Sequence, residues 1–131
     1  MVKYLKNADL TLDDIVRVFD SSTINRPTHD PSRIKTMFEN ANLIISAWDA
    51  NKLVGLCRAL TDFSYCCYLS DLAVDLEYQH QGIGKAMIEK VRKDIGEKTS
   101  LILLSAPDTM EYYPKIGFEK IENGYRIQRK S

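Results

Sequence analysis

The sequence predicts an α/β fold: a single domain over residues 1–131, with about four helices on a mixed, twisted sheet of about six to seven strands. Two stretches place apolar residues at helical spacing, Leu12-Ile15-Val16-Phe19 and Ile83-Met87-Val91-Ile95. Between and after them lie apolar runs of strand length: Leu43 to Trp48, Leu53 to Leu60, Tyr65 to Val74 and Leu101 to Leu104. Runs joined by short turns pair antiparallel, and a run that returns after a helix pairs parallel.

The expected order is β-α-α-β-β-β-α-β-α-β-β. Residues 2–6 form a short first strand. Thr11 caps the first helix, with Asp13 and Asp14 in the first turn, where the helix dipole favours anions. A polar loop from Ser21 to Asp30 follows. Asp30 caps a second helix with Pro31 at its first position, and Ile34, Met37, Phe38 and Ala41 supply its apolar face. Leu43–Trp48 and Leu53–Leu60 form a hairpin about Asp49-Ala50-Asn51-Lys52. Tyr65–Val74 is almost continuously apolar, as a central strand covered on both faces should be. The helix from Gly82 to Ile95 stops at Gly96, and Leu101–Leu104 is a buried strand of the parallel type. Asp108 and Glu111 form a D-x-x-E capping pattern for a short helix through Tyr112 and Tyr113. Phe118–Glu122 and Tyr125–Arg129 flank Asn123-Gly124, a strong hairpin signal.

Composition narrows the function. Eighteen basic residues balance eighteen acidic ones, so no nucleic-acid partner is expected. No apolar run approaches the roughly 20 residues that cross a bilayer, and the N-terminus has no signal-peptide core, so no membrane partner and a cytoplasmic location are expected. Three cysteines, two of them adjacent and none in a CxxC pair, read as reduced, buried thiols. Neither His29 nor His80 stands at a metal-ligand spacing, so no metal is expected.

The most informative stretch runs from Asp71 to Met87. A central strand, Asp71-Leu72-Ala73-Val74, leads through a short loop into Gly82-Ile83-Gly84-Lys85, the start of a helix. Free N–H groups at a helix N-terminus bind anions, and glycines let a phosphate approach. A Walker loop is not matched. A dinucleotide loop fits poorly, because Met87 stands where a third glycine or alanine belongs.

Gln79-x-x-Gly82-x-Gly84 resembles the Q/R-x-x-G-x-G/A signature of the GNAT acetyltransferase superfamily, and Tyr112-Tyr113-Pro114-Lys115-Ile116-Gly117-Phe118 resembles its later F-Y-x-K-x-G-F segment. The resemblance implies a GNAT-like fold whose sheet splays where coenzyme A inserts, and transfer of an acetyl group from acetyl-CoA to a primary amine by direct attack. It implies that a bulge in the central strand offers the backbone of Leu72, Ala73 and Val74 to the pantetheine. It further implies that Gln79, Gln81, Gly82, Ile83, Gly84 and Lys85 wrap the pyrophosphate, that Ser105 stands in for an Asn on the pantetheine arm, and that Tyr113 protonates the leaving thiolate. Pro114 departs from the pattern and is expected to shorten or kink its helix. A homodimer is a family-level expectation.

The general base is open between Asp71, His29, Glu111 and water. Arg26, His29 and Arg58 are expected at the acceptor site. Arg58 has two readings, a partner for a carboxylate or phosphate and an edge residue reaching solvent. A small-molecule amine is the expected acceptor. The rival readings are a regulatory module that binds coenzyme A or acyl-CoA without turnover, and transfer to a protein or aminoacyl-tRNA amine.

Overall fold

Thr11 starts the first helix as its sequence position requires: its hydroxyl accepts the Asp14 N–H at 3.1 Å. In the computed structural model, which describes residues 1–131, β1 (Val2–Lys6) precedes this helix, α1 (Leu12–Ser22). Asp30 caps α2 (Pro31–Glu39) through the Arg33 N–H, with Pro31 at the first helical position. Then follow β2 (Leu43–Asp49), β3 (Lys52–Thr61), β4 (Cys66–Val74), α3 (Ile83–Ile95), β5 (Ser100–Leu103) and α4 (Tyr112–Lys115). Thr11→Ala is expected to cost about 1 kcal/mol, read as a fall of about 3–5 °C in thermal midpoint.

The strands form one five-stranded sheet in the order β1-β2-β3-β4-β5. The first four pair antiparallel, and β5, reached through α3, pairs parallel to β4. Each face buries its own core. On one, Ile83, Met87, Ile88 and Val91 of α3 cover Leu43, Ile45, Cys57 and Leu69. On the other, Val18 and Phe19 of α1 and Ile34 of α2 cover Leu53, Leu56 and Ala73. Side chains alternate between faces along a strand, so Cys57 points toward α3 and Arg58 toward α2, where its guanidinium lies 5.6 Å from the Phe38 ring centroid.

Three expectations need correction. The sheet has five strands, because Phe118–Glu122 and Tyr125–Arg129 do not pair. A two-stranded hairpin needs a third strand or a surface to cover, and here Tyr125 and Ile127 are fully exposed. Residues 119–131 instead run back toward α2, where Arg33 donates to the Ser131 carbonyl at 3.2 Å. Second, Cys66 is exposed, whereas Cys57 and Cys67 are buried. Third, Glu111 makes no side-chain capping bond: Pro107–Thr109 forms a separate turn of 3-10 helix that takes Asp108 out of capping range.

Candidate active site

The site begins with one extra residue in β4. Arg58 stands opposite Asp71 and Ala59 opposite Leu69, so Ser70 is a β-bulge. Strand β5 pairs with β4 only from Cys66 to Leu69. Beyond the bulge, the outer edge of β4 has no strand neighbour. The Asp75 N–H donates to Val54 of β3 at 2.8 Å, whereas the Val74 carbonyl faces away from β3 and accepts Gln79 Nε2 at 2.9 Å. Backbone groups alternate sides along a strand, so Leu72 and Val74 present theirs to the open edge. Ala73 does not: its backbone faces β3 opposite Leu56, and its side chain is buried under α1 and α2.

The bulge is held by a buried charge cluster. Asp71 is fully buried. Its Oδ1 accepts Arg26 Nε at 2.6 Å, and its Oδ2 accepts Arg58 Nε at 2.5 Å. The same arginines fix Ser70: Arg26 Nη2 donates to the Ser70 carbonyl at 2.6 Å, and Arg58 Nη2 donates to its Oγ at 2.9 Å. Arg58 therefore has an internal carboxylate partner and is not a solvent-reaching edge residue. Arg26 reaches in from the loop between α1 and α2, and its side chain stays 24% exposed. With both oxygens occupied by guanidinium donors and no exposure, Asp71 is built to position the arginines.

The glycine loop lies at the other end of the open edge. Asp75 accepts the Glu77 N–H and caps a 3-10 turn over Leu76–Tyr78. His80 (φ 65°) and Gly82 (φ 82°) then take left-handed conformations. The first bond of α3 runs from the Ala86 N–H to the Gly82 carbonyl, which leaves the N–H groups of Ile83, Gly84 and Lys85 without an intrahelical acceptor. The side chains of Gln81 and Lys85 are exposed. Gly82→Ala is expected to cost about 1–2 kcal/mol, because a β-carbon is strained at that φ, and to weaken any ligand held by these N–H groups; calorimetric unfolding and ligand titration check both.

Gly84 marks a close approach. A β-carbon there would lie 3.1 Å from the Tyr112 hydroxyl and 3.7 Å from Leu72. Tyr112 thus reaches the helix start, and Tyr113 lies deeper. Tyr113 packs edge-on against Phe118 with ring centroids 5.5 Å apart and against Tyr112 at 5.2 Å. Burial, helped by the neighbouring Tyr112 and Cys57 and opposed by the Arg26 cation, pushes the Tyr113 phenol up to about 12. Pro114 removes no helical bond, since the first four N–H groups of a helix have no partner anyway and α4 is four residues long.

The remaining expected site residues make no hydrogen bond to the cluster or to the loop. His29 is exposed on the α1–α2 loop without a partner. Ser105 bonds locally, to the Ala106 carbonyl at 2.8 Å and to Thr109 Oγ1 at 3.0 Å. Glu111 is exposed. No group of three His, Cys, Asp or Glu residues stands close enough to hold a metal ion.

Two features escape sequence reasoning. Ser70 looks like any strand residue, because a bulge is a property of pairing. The pairing of Arg26 with Asp71 joins residues 45 apart, so Arg26 is expected at the acceptor site but its carboxylate partner is not. A signal for the Arg58–Asp71 half did exist, as a lone charge in each of two adjacent apolar runs.

A central strand bulged beside a loop with free N–H groups, a parallel neighbour that pairs with it only up to the bulge, and a half-buried tyrosine are the arrangement that the resemblance to the GNAT acetyltransferases implies. Comparison with known proteins agrees. The model of the acetyltransferase (GNAT) domain matches residues 8–128, and the chain belongs to that family. A curated relative, the uncharacterized N-acetyltransferase ycf52 of Pyropia yezoensis, is 29% identical over 92% of this chain and 71% of its own length. Across seven curated relatives the chain spans between 30% and 74% of the relative's length. Protein SA2161 of meticillin-resistant Staphylococcus aureus superposes with a TM-score of 0.82 at 23% identity, covering 98% of this chain and 100% of that one. The aminoglycoside N-acetyltransferase AAC(6')-Iy, solved with CoA, superposes with a TM-score of 0.75 at 12% identity, covering 100% and 96%. At these identities the two structures speak for the fold.

Proposed function

We propose that this protein is an acetyl-CoA-dependent N-acetyltransferase that acylates a primary amine of a small molecule. The observation that carries the proposal is the open edge of Leu72 and Val74 beside the free N–H groups at the start of α3. An extended chain with amide groups would pair with that edge, and a pyrophosphate would fit the helix start. Leu72 and Val74 would hold the pantetheine arm, and Gly82, Ile83, Gly84 and Lys85 the phosphates. When bound, acetyl-CoA supplies an activated thioester and a thiolate leaving group.

The chain's own residues do the rest. Tyr113 Oη keeps its proton at neutral pH and donates it to the departing sulfur. Asp71, Arg26 and Arg58 hold the bulge and so keep the edge of β4 open. Asp71 is locked by its two arginines, and neither His29 nor Glu111, both exposed, has a hydrogen-bond partner that would aim it as a base. The amine's proton therefore leaves through water.

Thermal unfolding with coenzyme A, acetyl-CoA, NAD and ATP tests the cofactor. A ligand at a hundred times its Kd adds about 2.7 kcal/mol, so a midpoint rise of several degrees with the coenzyme A pair alone is expected. Thiol release across an amine panel tests turnover. A shift with NAD or ATP instead would overturn the reading, and cofactor binding without thiol release from any amine would favour a regulatory module.

A further inference from the structure

The charge cluster at the bulge does not balance. It contains two guanidinium groups and one carboxylate, and neither arginine pairs with any other acid. Both oxygens of Asp71 are taken. Arg58 uses its remaining reach on Ser70 Oγ and the Met37 carbonyl, and its side chain is only 9% exposed. The surplus positive charge therefore reaches solvent through Arg26. Three of that guanidinium's five N–H groups are used, on Asp71, Ser70 and Asn25, which leaves two without a partner.

The place of this charge matters. Arg26 is bonded to the bulge from which the open edge departs. An acceptor entering there meets a cation at its threshold. A simple ammonium group is repelled. An oxyanion on the same molecule is attracted, and two free N–H groups on one planar guanidinium suit a carboxylate or a phosphate.

We infer that the acceptor carries a carboxylate or phosphate close to its amine and that Arg26 grips this group. The inference rests on the acetyltransferase reading above and narrows its substrate class. Arg26 is then a specificity-determining residue, held in position by Asp71.

The test compares matched acceptors in the thiol-release assay with acetyl-CoA. One arm pairs amino acids with their carboxamides; the other pairs an aminoalkyl phosphate with the corresponding amino alcohol. The charged member of at least one pair is expected to exceed its neutral isostere by about tenfold or more in kcat/KM, the range of one charge-assisted hydrogen bond. The two arms separate carboxylate from phosphate. Arg26→Gln is expected to bring that ratio toward one. If this variant does not fold, the wild-type ratio stands alone, and its decline between low and high salt reports the charge. Neutral isosteres that react as well as the charged ones in wild-type protein would overturn the inference while leaving the acetyltransferase reading intact. No thiol release from any acceptor, together with no thermal shift by coenzyme A, would overturn both.

Discussion

Replacing Asp71 by asparagine is expected to cost about 3–5 kcal/mol of folding stability, the range for breaking a buried ion pair from one side. For a chain of 131 residues this corresponds to a fall of roughly 10–20 °C in thermal midpoint. The side chain is fully buried, and Arg58 beside it is 9% exposed, so solvent screens the loss little. Asparagine keeps the shape and one acceptor oxygen. It also turns an NH2 group toward a guanidinium and leaves two cations with no carboxylate between them. A double variant, Arg58→Met with Asp71→Leu, separates charge from packing. It removes both partners of the more buried pair and leaves only Arg26 unpaired, whose side chain is 24% exposed, so it is expected to recover part of the stability, because the apolar replacement carries no desolvation penalty. Recovery of stability without recovery of turnover would show what the cluster is for: holding Ser70 out of register. A loss below about 1 kcal/mol in Asp71→Asn would mean the pair is screened like a surface salt bridge and would remove its role in shaping β4.

Legibility in the sequence followed the range of the interactions involved. Caps, helix periods and short turns are local, and Thr11, Asp30 and Gly96 stand where the sequence puts them. The glycine loop was legible for the same reason: Gly82 takes a left-handed φ that its residue type invites. The site's other half depends on pairing between distant segments. The Ser70 bulge exists only in the register of β3 against β4, and the Arg26–Asp71 contact joins a loop to a strand. Asp71 was visible as a charge in an apolar run, but a carboxylate near a site reads as a base until its partners are seen. The final hairpin failed from the opposite cause. Asn123-Gly124 is a sound local turn signal, yet alternation at Ile121, Tyr125 and Ile127 counts for little without a surface to bury against.

Tyr113→Phe is expected to lower kcat by a hundredfold or more, within the range of about 10²–10⁴ for one general acid, and to leave coenzyme A affinity nearly unchanged. The hydroxyl is the only group removed. The ring keeps its edge-on contacts with Phe118 and Tyr112, so folding should hold. The pH profile carries a sharper signature. Burial, with Tyr112 and Cys57 adding to it against the Arg26 cation, pushes the phenol up to about 12. Tyr113 therefore keeps its proton across the working range, and wild-type kcat/KM should rise as the acceptor amine deprotonates, with no decline from Tyr113 below about pH 11. The sign for stability follows from the same shift. The folded state binds this proton more tightly than the unfolded chain, whose tyrosine titrates near 10. The stabilisation is thus full below about pH 10 and is lost as pH rises through about 12. The Phe variant lacks that alkaline loss. Tyr112→Phe is the control, because its hydroxyl approaches Gly84 and the cofactor loop; it should raise the KM for acetyl-CoA with little change in kcat. If the two variants exchange behaviours, the proton comes from Tyr112, and the register of the Tyr112-Tyr113 pair in the family motif has to be shifted by one residue.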